Sequence, residues 1–292
     1  SNIVMKRRDF ITGSAVALGT ASVFSTAAFG QAKPAKIKIG QIGTGHAHAG
    51  GKLASLLKLT DLYEVVGVVE PDAKQREAAL RDKTYQGVKW LTEEQLLNTK
   101  GLQAVAVETE VKDLLPTAER CIAAGKHIHL DKPAGEKFSH FKRIVADARR
   151  QKLTIQMGYM LRSNPGLQLC FRAAKEGWLG RVFSIEAAMS KALNQGTRNS
   201  LKDYPGGAMF ELACHVLDSA IYILGKPQKV TAFNRSSSAL DDGFVDNQYA
   251  VLTYPHATAI IHSALIEVGG EARRQFTVSG EQGTGEVRPL EA

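Results

Sequence analysis

The sequence contains little cysteine. Only three cysteines occur among its 292 residues, Cys121, Cys170 and Cys214, and their spacing matches neither a zinc motif nor a small disulfide framework. Each of them stands in an apolar stretch with helical spacing. We therefore expect all three to be buried as small apolar side chains.

Clusters of basic residues are scarce too. The formal net charge is +8, but the lysines and arginines are spread along the chain, and no arginine-rich run is interleaved with aromatic residues. Such runs are typical of nucleic-acid-binding proteins. The sequence therefore predicts no nucleic-acid partner, and its basic balance indicates at most an attraction to anionic substrates or cofactor phosphates.

The overall composition is that of a packed globular protein. Hydrophobic residues make up 44% and charged residues 23% of the chain, both ordinary values for globular domains. One hydrophobic core usually serves about 100 to 200 residues. A chain of 292 residues is therefore long enough for two domains.

Residues 1–32 have the pattern of a secretory signal. Lys6, Arg7 and Arg8 form a charged region, and a weakly apolar region follows over residues 13–29. Hydroxyl side chains interrupt that region, so it is too polar for a bilayer span of about 20 residues. The paired arginines resemble the twin-arginine pattern, which predicts a twin-arginine signal peptide over residues 1–32. An N-terminal arm that stays on the mature protein is the alternative.

The next segment has the pattern of a dinucleotide-binding turn. Residues 36–42 predict a strand, Gly43-Thr44-Gly45 breaks it, and residues 46–59 have helical spacing that begins at His46. The first glycine allows a tight turn, and the second lets a pyrophosphate approach the backbone at the helix N-terminus. The third glycine of the usual motif is replaced by His48.

A carboxylate follows the second predicted strand. The apolar run Tyr63–Val69 ends in Glu70, which stands where a ribose 2′-hydroxyl needs an acceptor. This favours NAD over NADP because a carboxylate repels a 2′-phosphate, although Lys74 and Arg76 nearby leave that preference open. Without a cofactor, Glu70 would simply end a solvated strand.

Strands and helices continue to alternate through residue 158, which predicts a Rossmann domain over residues 33–158 with a doubly wound parallel sheet. Thr109 and Asp131 follow the predicted strands Ala104–Val107 and His127–Leu130. Ligands bind at the carboxyl ends of such strands. Thr109 and Asp131 are therefore candidate cofactor contacts.

The remaining residues, 159–292, predict a second domain of the α+β type. Alternating strands are expected over residues 181–187, 229–234, 247–253, 258–267 and 274–279. This alternation is typical of a mainly antiparallel sheet with one face solvated or covered by a partner.

Two motifs carry candidate catalytic groups. Asp131-Lys132-Pro133 lies at the end of a strand, and a lysine beside a bound NAD cation is suited to polarising a hydroxyl oxygen or transferring a proton. Glu211 and His215 lie four residues apart in a predicted helix over residues 206–224, so they should share one helix face. Taken singly, Lys132 has the pattern of a surface turn residue and His215 that of a structural histidine.

Two histidine pairs, His46-x-His48 and His127-x-His129, raise the question of a metal. The second pair should point to one side of a buried strand. No cysteine or carboxylate set accompanies it in the sequence to complete a ligand shell. We therefore expect no metal site.

Together, these motifs resemble the Gfo/Idh/MocA family of oxidoreductases, in which a Glu-Lys-Pro motif precedes a helix with an acid and a histidine. The resemblance implies that His215 is the general base, that Lys132 assists it and also contacts the cofactor, and that Glu211 is the supporting acid. It further implies cofactor contact by Arg162 and substrate contact by residues of the loop before the catalytic helix: Lys191, Asn194 and Arg198.

The implied activity is oxidation or reduction of a CH–OH group of a sugar, polyol or glycoside, with hydride transfer to NAD. Two alternatives remain: a redox-neutral glycoside hydrolase or lyase that uses NAD transiently, and a non-catalytic sugar or dinucleotide sensor. Because NAD is scarce outside the cytoplasm, an exported periplasmic member should hold its NAD tightly.

The resemblance also implies a homo-oligomer formed through the open face of the second sheet. The family's second domain normally continues beyond the point where this chain stops, so Ala292 is expected to mark a truncation.

Overall fold

A computed structural model of the chain describes residues 35–202, 204, 206–240 and 242–291. The predicted signal peptide over residues 1–32 lies outside this range. The described residues from Lys36 onward form one compact unit. No helix within the described residues has both the length and the apolar character needed to cross a bilayer.

The first sheet has five strands, all parallel, in the order β2-β1-β3-β4-β5. Its strands are β1 (Ile37–Ile42), β2 (Tyr63–Val69), β3 (Ala104–Val107), β4 (His127–Leu130) and β5 (Ile155–Met157). The chain reverses its winding between β1 and β3, which are neighbours in the sheet. This is the position at which an open α/β sheet binds its ligand. The predicted parallel Rossmann sheet is thus confirmed.

Helices cover both faces of this sheet. They are α1 (Ala49–Lys58), α2 (Ala73–Arg81), α3 (Glu93–Leu97), α4 (Val111–Ala123) and α5 (Phe138–Arg150). Successive side chains of a strand point to opposite faces of the sheet. Val105 and Val107 pack in the core that contains α4 and α5, whereas Ala106 packs with Leu56 of α1 on the other face. Side chains that follow Ala106 at intervals of two therefore lie on the α1 side of the sheet.

Local sequence signals set the helix ends. Thr92 and Gln95 form a capping box at α3, and the Asp72 side chain accepts a hydrogen bond from the Gln75 amide at α2. The helix predicted over residues 46–59 is shorter than expected. It begins at Ala49, because His46 accepts hydrogen bonds from following amides in a turn instead of continuing the helix.

The second sheet has six strands in the order β11-β10-β6-β9-β8-β7. They are β6 (Val182–Ala188), β7 (Lys229–Arg235), β8 (Asn247–Thr253), β9 (Thr258–Ala264), β10 (Gln275–Gly280) and β11 (Gly283–Val287). Only the β6–β9 pair is parallel among these described strands. The mainly antiparallel sheet is confirmed, and β11 is a strand that the sequence analysis missed because its glycines hide the apolar alternation.

One face of the second sheet packs against helices and contains the core of this half of the molecule, with Phe276, Ile185 and Ile261 completely covered. The helices are α6 (Pro165–Lys175), α7 (Gln195–Leu201), α8 (Gly207–Glu211) and α9 (Cys214–Leu224). The single helix predicted over residues 206–224 is wrong: it is two helices, α8 and α9, separated at Leu212 and Ala213.

The cysteine expectation holds for two of the three residues. Cys121 and Cys170 are free thiols buried in the two cores, and Cys214 at the start of α9 is a free thiol that is half-buried. Burial raises the pKa of Cys121 to about 12 and that of Cys214 to about 11. All three therefore remain protonated at neutral pH.

Candidate functional site

The turn after β1 requires glycine at its first position. Gly43 has a φ of +94°, and a Cβ there would lie 2.5 Å from the main-chain nitrogen of Thr109. Any other residue would be strained and would push the turn away from β3. This close approach places Thr109 beside the glycine turn. The sequence predicts that both Thr109 and the turn contact the cofactor.

Glu70, at the end of β2, holds the same turn. Its Oε2 accepts hydrogen bonds from the Thr44 amide at 2.6 Å and the Thr44 hydroxyl at 2.8 Å, and its Oε1 accepts one from the Asp72 amide at 3.0 Å. A carboxylate offers about four acceptor positions, so one remains for a ribose hydroxyl. Glu70 lines a cavity of about 300 Å³ together with Thr109 and Glu110.

A groove of about 660 Å³ continues from this cavity along α1 and α2. Thr44, Gly45 and His46 form its edge, and Gly50 and Gly51 in the first turn of α1 present bare backbone to it. A helix N-terminus without side chains favours phosphate. The glycine turn, the bare helix start and the Glu70 carboxylate therefore fit a dinucleotide.

Lys132 links the two halves of the molecule. Its side chain is buried, and its Nζ donates a 2.7 Å hydrogen bond to the main-chain oxygen of Glu211, 79 residues away. That oxygen is available because α8 ends at Glu211, and the last carbonyls of a helix have no partner within it. The break between α8 and α9 therefore provides the acceptor that positions Lys132.

The carboxylate of Glu211 faces two lysines. Its Oε1 lies 3.2 Å from Lys191 Nζ and 3.8 Å from Lys132 Nζ. The spacing in the sequence predicts that Glu211 shares one helix face with His215, and the family resemblance implies that it is the acid that supports the imidazole. The structure corrects this, because the break at Leu212 and Ala213 turns Glu211 towards the lysines.

His215 is buried next to Lys132, and its Nδ1 has no hydrogen-bond partner among the described residues. Burial lowers the pKa of its imidazole to about 3, with a further contribution from the positive charge of Lys132. The ring of Tyr159 stands edge-on at 6.0 Å. His215 is therefore neutral at working pH, the form in which imidazole can accept a proton.

A cavity of about 290 Å³ lies between the glycine turn and the second half of the molecule. Lys132, Lys191 and Glu211 line it, and Gly45 and His46 form its opposite edge. The motifs that carry the family resemblance therefore meet at one cavity. His215 lies behind Lys132 and is not among the described residues that line this cavity.

Asp131 organises the histidines of the glycine turn. Its Oδ1 accepts hydrogen bonds from the Lys132 amide at 2.6 Å and from His48 Nδ1 at 3.2 Å. His46 Nε2 donates to the Lys132 carbonyl at 3.0 Å, and burial lowers the pKa of His46. Burial opposes ionisation of Asp131, but its hydrogen bond with His48 and the proximity of His46 outweigh that effect and hold its pKa below the usual range.

Three predicted ligand contacts have partners within the protein and stay predictions. Arg162 forms a two-point ion pair with Asp218, at 2.6 and 2.7 Å, and is not among the described residues that line the three cavities around the glycine turn. Arg198 is buried and bound by Asp242 at 2.7 Å and Asp246 at 2.8 Å.

The Asn194 side chain accepts a hydrogen bond from the Thr197 amide and caps α7. Among the predicted substrate contacts, Lys191 alone lines the cavity.

Carboxylates do accompany one of the two histidine pairs. The sequence shows none beside His129, but the structure brings Glu108 and Asp131 to it. No sequence motif singles out Glu108, because it stands alone between an apolar strand and Thr109. The signal was present in the spacing: Glu108 lies two residues after Ala106, on the same side of the sheet.

Two family models match the chain. A model described as "Oxidoreductase family, NAD-binding Rossmann fold" matches residues 37–159, and one described as "GFO/IDH/MocA C-terminal domain" matches residues 168–286. The two matches contain the two sheets described above.

The chain is similar to uncharacterized oxidoreductase YdgJ of Escherichia coli (strain K12), with 26% identity over 65% of this chain and 54% of that protein. It is also similar to trans-1,2-dihydrobenzene-1,2-diol dehydrogenase of Sus scrofa, with 23% identity over 66% of this chain and 57% of that protein. The chain thus spans little more than half the length of these relatives.

Solved structures share the fold. The WlbA dehydrogenase from Bordetella pertussis, in complex with NADH and UDP-GlcNAcA, matches with a TM-score of 0.77 and 20% identity over 89% of this chain and 75% of that one. GenD2 from gentamicin A biosynthesis, in complex with NAD, matches with a TM-score of 0.74 and 21% identity over 94% of this chain and 75% of that one. With both family models in chain order over an NAD-binding Rossmann sheet, the chain belongs to the Gfo/Idh/MocA family of oxidoreductases.

Proposed function

We propose that the protein is an NAD-dependent oxidoreductase that acts on a CH–OH group of a sugar, polyol or glycoside. The observation that carries this proposal is the hydrogen bond from Lys132 Nζ to the Glu211 carbonyl, which joins the end of β4 to the end of α8. It brings a cationic side chain to the cavity that opens beside the glycine turn.

NAD, when bound, accepts the hydride that leaves the carbinol carbon. The residues to hold it are those of the glycine turn, with Glu70 at the ribose and Thr109 at the edge of β3. The side chain of Lys191 and the end of α8 complete the opposite wall of the cavity. These residues position a hydroxyl-bearing carbon next to the nicotinamide.

Lys132 polarises the reacting hydroxyl. Its ammonium group is nearly covered and is held by Glu211, so its charge acts on a substrate oxygen with little screening by water. His215 is neutral, and its Nδ1 has no partner among the described residues. Because it lies behind Lys132 and does not line the cavity, it accepts the proton by way of Lys132, which gives one of its own protons to the imidazole as it takes up that of the substrate hydroxyl. The low pKa of His215 means that this transfer proceeds only once the hydroxyl has been polarised.

The cavity supports a polyhydroxylated substrate. Besides the charged groups, Thr197, Ser200 and Tyr204 contribute to its wall. Hydroxyl groups of this kind pair with sugar hydroxyls. The UDP-GlcNAcA bound by the WlbA dehydrogenase is a sugar nucleotide, and this proposal extends only the sugar class to the present chain.

The proposal includes export and tight retention of NAD. It rests on the paired Arg7 and Arg8 ahead of a weakly apolar stretch, and on the scarcity of NAD outside the cytoplasm. A folded holoprotein exported by the twin-arginine machinery would work in the periplasm with the NAD that it carries.

The open face of the second sheet is the proposed contact with a second copy. Phe233, Tyr249 and Ile260 lie on neighbouring strands and are each at least 40% exposed. Apolar side chains grouped on a sheet face favour association. The contact would cover the face that the helices leave open.

The first experiment is to denature the purified protein and identify released nucleotide by mass spectrometry, then to screen sugars and glycosides for change in the bound nicotinamide. One NAD per chain and reduction by a sugar would support the proposal. Substrate cleavage without net NADH would indicate the redox-neutral reaction instead. No binding of added NAD by the folded protein would refute both.

A further inference from the structure

Four buried side-chain atoms without a hydrogen-bond partner lie together beneath α1. They are both carboxylate oxygens of Glu108, Nε2 of His129 and Oδ2 of Asp131. One ligand atom from each residue lies within 4.8 Å of those of the other two, and His129 Nε2 is 3.8 Å from Glu108 Oε1. Buried polar atoms normally have partners, so this grouping needs an explanation.

The register of the sheet produces the cluster. Ala106 on β3 is paired with His129 on β4, so Glu108 and Asp131, each two residues further on, stand opposite one another on the same face. That face is the one covered by α1. The convergence is therefore built into two neighbouring strands and does not depend on a loop.

Two buried carboxylates face one another in this space. Glu108 is 0% and Asp131 1% exposed, and two carboxylates cannot both be charged in such surroundings without a cation. His46 and His48 face Asp131, and Lys52 of α1 acts on Glu108 and His129. No described donor reaches either oxygen of Glu108.

We propose that Glu108, His129 and Asp131 bind one divalent first-row transition-metal ion, of which Zn²⁺ is the representative. One imidazole and two carboxylates suit such ions, whereas Ca²⁺ and Mg²⁺ prefer sites built from oxygen alone. Ligand atoms about 2.1 Å from a tetrahedral ion lie about 3.4 Å apart. The 3.8 Å between His129 and Glu108 is close to that spacing.

The hydrogen bonds around the cluster do not use the atoms that we propose as metal ligands. Asp131 uses Oδ1 for His48 and the Lys132 amide and keeps Oδ2 available. His46 is excluded as a ligand because its Nδ1 accepts from the His48 amide at 3.2 Å and its Nε2 donates to the Lys132 carbonyl. Gln156 is paired with His129 across β4 and β5, in the position where an outer partner of a metal-bound histidine commonly stands.

The bound ion would fix the relative positions of the strand ends and the glycine turn that form the dinucleotide site. Asp131 directly precedes Lys132, and the Glu108 carbonyl accepts a hydrogen bond from the His46 amide at 3.0 Å. A metal bound here joins the ends of β3 and β4 to the glycine turn. Its role is to position these elements, and it does not rest on the proposed function.

The test is metal binding by the wild-type protein, purified without a metal-binding tag and freed of metal by a chelator. After dialysis against Zn²⁺, elemental analysis should find one equivalent per chain, and the melting temperature should rise. Co²⁺ in its place should give visible d–d bands without the charge-transfer bands of thiolate ligands, because no cysteine is in the site.

Glu108→Gln and His129→Gln should each weaken Zn²⁺ binding by about tenfold or more. His127→Gln, on the same strand, and Glu119→Gln, on α4, remove equivalent groups outside the cluster and should bind Zn²⁺ as the wild type does.

Absence of stoichiometric Zn²⁺ in folded wild-type protein would overturn the proposal, and so would equal binding by cluster and control variants. Either result would favour a proton shared by Glu108 and Asp131. If the cluster variants do not fold, the Zn²⁺ stoichiometry and the Co²⁺ spectrum of the wild-type protein test the proposal by themselves. A Co²⁺ spectrum that lacks d–d bands, or that contains thiolate charge-transfer bands, would contradict the proposed site.

Discussion

At the scale of single residues, Lys132 is the group whose removal should affect turnover most directly. Lys132→Met keeps much of the side-chain volume and removes the charge that polarises the substrate oxygen. We expect the turnover number to fall by about 100-fold or more, while NAD remains bound. Steady-state kinetics and nucleotide analysis of the same preparation measure the two effects.

Lys137→Met is the matched control, because Lys137 is exposed at the start of α5. It should leave turnover unchanged. Normal turnover in Lys132→Met would remove Lys132 from the mechanism.

His215 should make the folded protein sensitive to acid. In the native state its pKa is lowered to about 3, whereas in the unfolded chain it has the ordinary value of 6.5. Between these two values the unfolded state binds a proton that the native state does not, so the free energy of unfolding decreases as pH falls. The slope attributable to this one proton is about 1.4 kcal/mol per pH unit.

We therefore expect the pH dependence of the unfolding free energy between pH 6.5 and 4 to be shallower in His215→Gln than in the wild type. Denaturant unfolding at a series of pH values measures it. His256→Gln alters an exposed histidine and should retain the wild-type slope. Identical slopes in wild type and His215→Gln would show that His215 is not buried as a neutral ring.

At the scale of elements, the turn between β1 and α1 depends on one glycine. Gly43→Ala introduces a Cβ 2.5 Å from the Thr109 amide nitrogen in a backbone with φ of +94°, and the left-handed conformation alone costs about 1–2 kcal/mol. We expect the melting temperature to fall by about 5 °C or more and NAD binding to weaken. Differential scanning calorimetry and NAD titration measure these changes.

Gly51→Ala provides the comparison, because a Cβ at Gly51 meets nothing within 4 Å. Within a helix alanine is favoured over glycine by about 1 kcal/mol, so this variant should be at least as stable as the wild type. A Gly43→Ala protein as stable as Gly51→Ala would contradict the tight turn.

At the scale of the whole molecule, the open face of the second sheet should decide the assembly state. Phe233→Asp places a charge among Phe233, Tyr249 and Ile260, where association would desolvate it at a large cost. If this face joins two copies, sedimentation velocity should show a shift from dimer or larger assembly towards monomer. The circular dichroism spectrum should stay unchanged.

Phe138→Asp, in the exposed first turn of α5, introduces the same charge on the other half of the molecule and should leave the assembly state intact. Equal sedimentation of wild type and Phe233→Asp would place the contact elsewhere.

Local patterns in the sequence determined the elements of this protein. The alternation of β-branched residues predicted the strands, the glycines marked the first turn, and Thr92 and Gln95 marked a helix start. These signals are short-range, because they arise from backbone sterics and from hydrogen bonds within a few residues. The order of the two sheets and the family motifs followed from the order of these elements along the chain.

Contacts between distant residues were decided only by the tertiary structure. The break after α8 directs Glu211 to Lys132 and Lys191, and Arg198 is enclosed by Asp242 and Asp246. Neither result follows from spacing along a helix, because the partners come from other elements. The same holds for the proximity of Glu108 and His129. The sequence determines the face of the sheet on which each side chain stands, because side chains alternate along a strand. Only the pairing of β3 with β4 determines which side chains on that face become neighbours.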